Sequence, residues 1–136
     1  KKMEKKFKHL DFIQLVITRM NVNSFLIKGW AVTIVAAMFV FAAKDANAKY
    51  VFIPMLTTLV FWLLDGYYLS LERQYRCLYD KVRVLEEVDI DLSMNASMFN
   101  VGKSTWLYSS FTLSLVVFYV TLLSLTAGVA ILTSLF

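Results

Sequence analysis

The sequence predicts an all-α, integral membrane helical protein with three transmembrane helices. Three observations carry that prediction. Hydrophobic residues make up 59% of the 136 residues, above the roughly 45–50% of soluble domains, and the excess is gathered in blocks. Three of those blocks reach the length of about 20 residues that a helix needs to cross some 30 Å of hydrocarbon. One block continues into a charged stretch without losing its apolar spacing of three and four.

Taken in order, the opening Lys1-Lys2-Met3 reads as a scar or a trimmed leader ahead of the true start. The first 24 residues are amphipathic and lack the apolar core of a cleavable signal. Over 4–20, Phe7, Leu10, Ile13, Ile17 and Met20 recur at helical steps opposite Lys5, Lys8, Asp11 and Arg19. That pattern predicts an amphipathic helix lying on a membrane or on a partner helix. Asn21-Val22-Asn23-Ser24 is predicted to break it and to supply caps for the next helix. The first span covers 24–43, and the polar KDANAK connection over 44–49 makes a tight hairpin. The second span covers 50–70, with Pro54 in its opening turns, where a missing N–H does little harm.

From Phe61 the apolar positions run Leu64, Tyr68, Leu71, Tyr75, Leu78, Val82 and Leu85. One helix over about 50–87 follows, roughly 55 Å long at 1.5 Å per residue, with 71–87 as an extension outside the bilayer. A seam of this kind implies coiled-coil-like packing. Its partner is the N-terminal helix, the same helix in neighbouring subunits, or both, so Leu71, Tyr75, Leu78, Val82 and Leu85 form a candidate oligomer seam. Residues 88–105 have no clear period and read as a loop. The third span, 107–136, begins near Trp106 and carries no charge; its excess length implies tilt or an interfacial extension. Its end inside an apolar run points to further residues after Phe136.

Basic residues orient the chain. Lys1, Lys2, Lys5, Lys6, Lys8 and Arg19 precede the first span, and Arg73, Arg76, Lys81, Arg83 and Lys103 lie between the second and third. The hairpin connection holds only Lys44 and Lys49. The N-terminus and the 71–106 segment are therefore expected in the cytoplasm, with the C-terminus outside. Tyr50, Tyr67, Tyr68, Trp106 and Tyr108 sit where an aromatic belt falls, whereas Trp30 and Trp62 lie deeper and read as packing residues.

Few residues offer chemistry. A single cysteine, Cys77, and a single histidine, His9, permit neither an intrachain disulfide nor a thiolate cage within one chain. The segment Gly102-Lys103-Ser104-Thr105 matches the end of a phosphate-binding loop. The complete pattern requires a glycine where Ser97 stands, and a preceding strand. The stretch reads instead as a turn glycine, an inward-side lysine and a hydroxyl helix cap. No catalytic constellation, cofactor or metal site is expected.

The spans do hold two charges, Lys28 and Asp65. An antiparallel hairpin places them at similar depth, and charges in hydrocarbon pair or reach for water. An ion pair is the expectation; separate snorkelling and an Asp65 facing a pore are the alternatives. The third span carries a stripe of Ser110, Ser114, Thr121, Ser124 and Gly128, suited to close helix packing or to lining a polar pore. Charged residues of both signs crowd 72–87, with Glu72–Arg76 and Arg83–Glu87 at contact spacing. Arg73, Arg76 and Tyr79, interleaved with Tyr75, are a candidate ligand or partner contact.

The stretches LLDGYYLSLERQYRCLYDKV and IQLVITRMNVNSFLIKGW resemble those of a widespread group of small bacterial membrane proteins. The leading helix, two-span hairpin and charged trailing helix over about 5–88 also resemble the SLATT family, two-span effector modules of nucleotide-activated bacterial defence systems. The third span has no counterpart in that two-span pattern. The resemblance implies a bacterial inner-membrane protein that assembles with copies of itself and perturbs the bilayer as an oligomeric pore, with no catalytic motif to carry over. The alternative is a membrane-anchored regulatory or scaffold subunit that recruits a cytoplasmic protein, or answers a nucleotide-signalling partner, through its charged helix. The lipid bilayer is a partner in either case, and direct nucleic-acid binding is not expected, because the basic residues flank apolar blocks.

Overall fold

In the computed structural model, which describes residues 2–45 and 49–135, the chain is α-helical, with no strand among the described residues. Helix α1 spans Lys2–Asp45 and α2 spans Lys49–Val84. Three short 3₁₀ turns follow, then a one-turn helix α3, Trp106–Ser110, and α4, Leu113–Leu135. The helices α1, α2 and α4 are each long and apolar enough to cross a membrane. The predicted connection over 44–49 lies partly outside the described residues, as do the side chain of Tyr50 and residue Phe136.

The break expected at Asn21–Ser24 does not form. The buried positions of α1 include Leu10, Ile13, Ile17, Met20, Ser24, Ile27, Ala31 and Val35, a spacing of three and four that runs straight through it. Asparagine in a helix interior costs only a few tenths of a kcal/mol relative to good helix formers. Packing of a continuous seam against α2 outweighs that, so α1 is one helix of 44 residues, about 66 Å long.

Roughly half of α1 and α2 extends beyond a bilayer's thickness and forms a separate head. There Leu10, Ile13, Ile17, Leu78, Val82 and Ala96 make one core, with Tyr75, Tyr79, Ile90, Met94 and Phe99 packed against it. The proposed oligomer seam is therefore used within the chain: Leu78 and Val82 are buried against α1 and the 90–99 loop, and Leu71, Tyr75 and Leu85 are half-buried. Helix α2 ends at Val84, three residues short of the prediction, and Glu87–Asp89 is a 3₁₀ turn. Lys6 Nζ caps that end, donating to the Leu85 carbonyl at 2.6 Å. Because the helix has ended, Arg83 pairs with Asp80 at 3.3 Å and not with Glu87.

The segment without periodicity is ordered by local turns. Ser93 N donates to Asp91 Oδ1, Asn95 N to Ser93 Oγ and Ser97 N to Asn95 Oδ1, at 2.9, 3.2 and 3.0 Å. Side chains that mimic a backbone turn two residues on give this chain a shape that hydropathy does not register.

The third span is not one helix. Helix α3 ends at Ser110, the chain bends at Phe111–Thr112, and α4 starts at Leu113. Gly66 explains how α3 seats on α2. A Cβ there would meet Ser110 Cα at 2.8 Å and come closer still to its hydroxyl, so only glycine lets the two backbones approach. Trp62 then donates from Nε1 to the Ser110 carbonyl at 2.7 Å, and Trp106 Nε1 to the Leu63 carbonyl at 2.9 Å. The first indole serves a carbonyl at the C-terminal end of α3, and the second ties the start of α3 to the exposed flank of α2. Trp30, read as a packing residue, is instead 61% exposed on the outer face of α1.

Candidate functional site

Within the apolar zone the three long helices meet at a single polar cluster. The heptad-like seam of α1 delivers Ser24 and, one turn on, Lys28 to the face of α2 that carries Asp65. Lys28 Nζ lies 2.5 Å from Asp65 Oδ2 and 2.9 Å from Ser24 Oγ. The Ser24 hydroxyl donates to Asp65 Oδ1. Tyr119, on α4, donates its hydroxyl to Asp65 Oδ2 at 2.9 Å. Asp65 and Tyr119 are fully buried, whereas the Lys28 side chain keeps 26% of its surface exposed.

Each donor answers a need. A carboxylate taken out of water is tolerable only when it is paired and its lone pairs are filled, and here both oxygens are engaged. Trp62 stacks on Tyr119, with ring centroids 5.8 Å apart and planes 6° apart, and so fixes the phenol that reaches Asp65. Around them Ala31, Val35, Leu115 and Leu122 form the apolar core between α1 and α4. The cluster thus joins α1 to α2 by charge and α4 to α2 through a hydroxyl.

The remaining candidate residues fall elsewhere. Of the small-residue stripe, only Ser110 is buried; Ser114, Thr121 and Ser124 are exposed and Gly128 is half-buried with open space beside it. The face of α4 that packs inside the chain is instead Leu115, Tyr119, Leu122 and Thr126. The stripe hydroxyls turn away from it, and Thr121 Oγ1 satisfies itself on the Val117 carbonyl at 2.7 Å. Between the stripe and α1 runs an open groove of about 640 Å³, walled by Val32, Ser114, Val117, Thr121 and Leu125.

Arg73, Arg76 and Tyr79 are not brought together as one contact. Arg76 is held by Glu72 at 2.7 Å beside Thr18 and Asn21 of α1. Tyr79 packs on the head core. Arg73 points the other way, donating to the Lys103 carbonyl at 2.7 Å and to Thr112 Oγ1 at 3.0 Å, with a longer contact to Ser109 Oγ at 3.4 Å.

The segment resembling a phosphate loop is a tie between loop and helix. Ser70 Oγ and Gln74 Nε2 donate to the Ser104 carbonyl at 2.6 and 3.4 Å. Gly102 takes φ +56° to make the turn, a conformation glycine adopts without strain. Thr105 opens α3, yet its hydroxyl donates backwards to the Gly102 carbonyl at 2.8 Å and makes no cap bond. Among the described residues no three His, Cys, Asp or Glu side chains gather as metal ligands.

Sequence reasoning missed Ser24 and Tyr119. Ser24 was legible, since it stands one turn before Lys28 on the same face. Tyr119 was not, because the bend at Phe111–Thr112 sets where α4 lands on α2. Comparison with known protein families, with characterised proteins and with solved structures finds no match.

Proposed function

We propose that this chain acts as a homo-oligomeric, membrane-perturbing or pore-forming effector in the bacterial inner membrane, of the kind deployed in antiphage defence, and not as an enzyme. The observation that carries the reading is the groove between α1 and α4. One face of α4 completes the core of its own chain, and the opposite face presents Ser114, Thr121 and Ser124 to the outside. Lipid tails gain nothing from hydroxyls, whereas a neighbouring helix packs closely on small residues and can exchange hydrogen bonds with them. Since the seam of α2 is used within the chain, the exposed stripe of α4 is the surface this reading assigns to assembly. The basic residues of the head and of the N-terminal half of α1 favour a cytoplasmic head and an outer C-terminus.

Mass measurement of the protein in nanodiscs, together with dye release from liposomes, tests this. Rings of four or more subunits that leak dye are expected, and Thr121→Trp, which fills the groove, should disperse them while leaving the fold intact. A monomer that leaves liposomes sealed defeats the reading. One observation favours a second reading, a membrane-anchored module that recruits a cytoplasmic partner. The head has its own core, yet Val84 and Val88 stay 74% and 86% exposed at its tip. Sealed liposomes together with a soluble partner bound through 84–105 would favour that alternative.

A further inference from the structure

A second polar site lies at the corner where α3 meets α4, about 12 Å along α2 from Asp65 toward the head. It is an open groove of about 690 Å³, lined by Arg73, Lys103, Tyr108, Thr112 and the apolar residues Leu107, Phe111 and Leu113. We propose that this groove binds the phosphate of an anionic phospholipid, with the acyl chains lying along Leu107, Phe111 and Leu113.

The charge balance comes first. Arg73 and Lys103 are adjacent, since the guanidinium bonds to the Lys103 carbonyl. Among the described residues no carboxylate lies within ion-pair distance of either cation. Two cations at one corner with no protein counter-ion leave a concentrated positive field. The guanidinium is held rigid by Lys103, Ser109 and Thr112 and sits 5.9 Å from the Tyr108 ring centroid. Among the described residues neither its Nε–H nor Lys103 Nζ has a hydrogen-bond partner, and Lys103 is exposed on the rim. A fixed fork beside a mobile ammonium suits a tetrahedral phosphate oxyanion.

The apolar half of the groove decides between a lipid and a soluble phosphate. Leu107, Phe111 and Leu113 are 69%, 69% and 77% exposed, which no aqueous anion site requires. They stand where the last helix apolar enough to cross a membrane begins, the end of a span at which headgroups meet hydrocarbon. Basic pockets at that level, beside transmembrane helices, bind acidic headgroups. The site belongs to a single chain and does not depend on assembly.

Native mass spectrometry of the detergent-solubilised protein, titrated with dioleoyl phosphatidylglycerol or dioleoyl phosphatidylcholine, tests the site. Phosphatidylglycerol should bind about fivefold more tightly per cation engaged. Lys103→Gln, a change at an exposed side chain, should lower phosphatidylglycerol affinity about fivefold and phosphatidylcholine affinity less, because its choline cation already offsets the phosphate they share. Arg83→Gln, at an exposed cation of the head paired with Asp80, should change neither. Equal affinity for the two lipids, or no effect of Lys103→Gln, overturns the proposal. So does displacement of the lipid by millimolar glycerol phosphate, which would assign the groove to soluble anions. Monomer and oligomer peaks are read separately, so a failure to assemble and a failure to bind lipid give different results.

Discussion

The intramembrane cluster makes an asymmetric prediction about its two charges. Lys28→Leu strands Asp65, which is fully buried and keeps only the Ser24 and Tyr119 hydroxyls. Breaking a buried pair by removing one partner costs about 3–5 kcal/mol. Polar contacts inside membrane proteins fall at the low end of soluble values, so about 3 kcal/mol is expected. Asp65→Leu strands Lys28 instead, but that side chain is already 26% exposed and its stem can carry the ammonium to the headgroups. What remains is the loss of a charged acceptor by two hydroxyls, about 1.5 kcal/mol in a membrane interior. Once the carboxylate is gone the lysine has nothing more to lose. The double variant should therefore match Asp65→Leu alone, and the pair should couple by about 3 kcal/mol in a double-mutant cycle. Reversible unfolding in mixed micelles of increasing dodecyl sulfate content reads all four proteins. Additive effects, or Asp65→Leu proving the more harmful change, would refute the argument that one partner can reach water and the other cannot.

Two further predictions follow from packing. Gly66→Ala drives a methyl into Ser110 and should destabilise by about 1–3 kcal/mol, the usual penalty for overpacking; Ser110→Gly in the same chain should recover part of that in the same unfolding assay, and no recovery would remove the Gly66–Ser110 contact as the cause. Leu78→Ala opens the head core, where Leu78 is 5% exposed, at about 2–5 kcal/mol; amide exchange should rise across 10–17 and 90–99 while the region around Asp65 stays protected, and uniform loosening would show that head and membrane portion unfold as one.

What could be read in advance depended on how locally each feature is specified. The helices and their apolar faces were legible because burial repeats every three to four residues from Leu10 to Ala31, and apolar side chains recur at the same steps from Leu71 to Leu85. The depth of Lys28 and Asp65 followed from a short connection, which makes neighbouring helices antiparallel. The reading failed where a residue type has two uses. Asn21, Asn23 and Ser24 cap helices in one context and sit inside them in another, and only the continuity of the seam on either side decides which. The seam itself named an interface without naming its owner. A packed loop such as 90–99 contributes Ala96, Met94 and Phe99 to the core with no periodic signal at all. Tyr119 depended on a bend that no glycine or proline marks. Its meeting with Asp65 is a property of the tertiary structure alone.

The unbroken course of α1 has a mechanical consequence. A helix with no hinge at its exit from the bilayer is a rod, and its two halves cannot tilt independently. About 33 Å of α1 stands clear of the hydrocarbon, so a tilt of about 10° in the membrane half swings the tip of the head by about 6 Å. The Lys28–Asp65–Tyr119 cluster lies near the pivot of that lever and ties α4 to it. Any force that tilts α4 or the membrane half of α1 would thereby become a displacement at the far end of the molecule. A ligand that grips the head exerts the same torque in reverse.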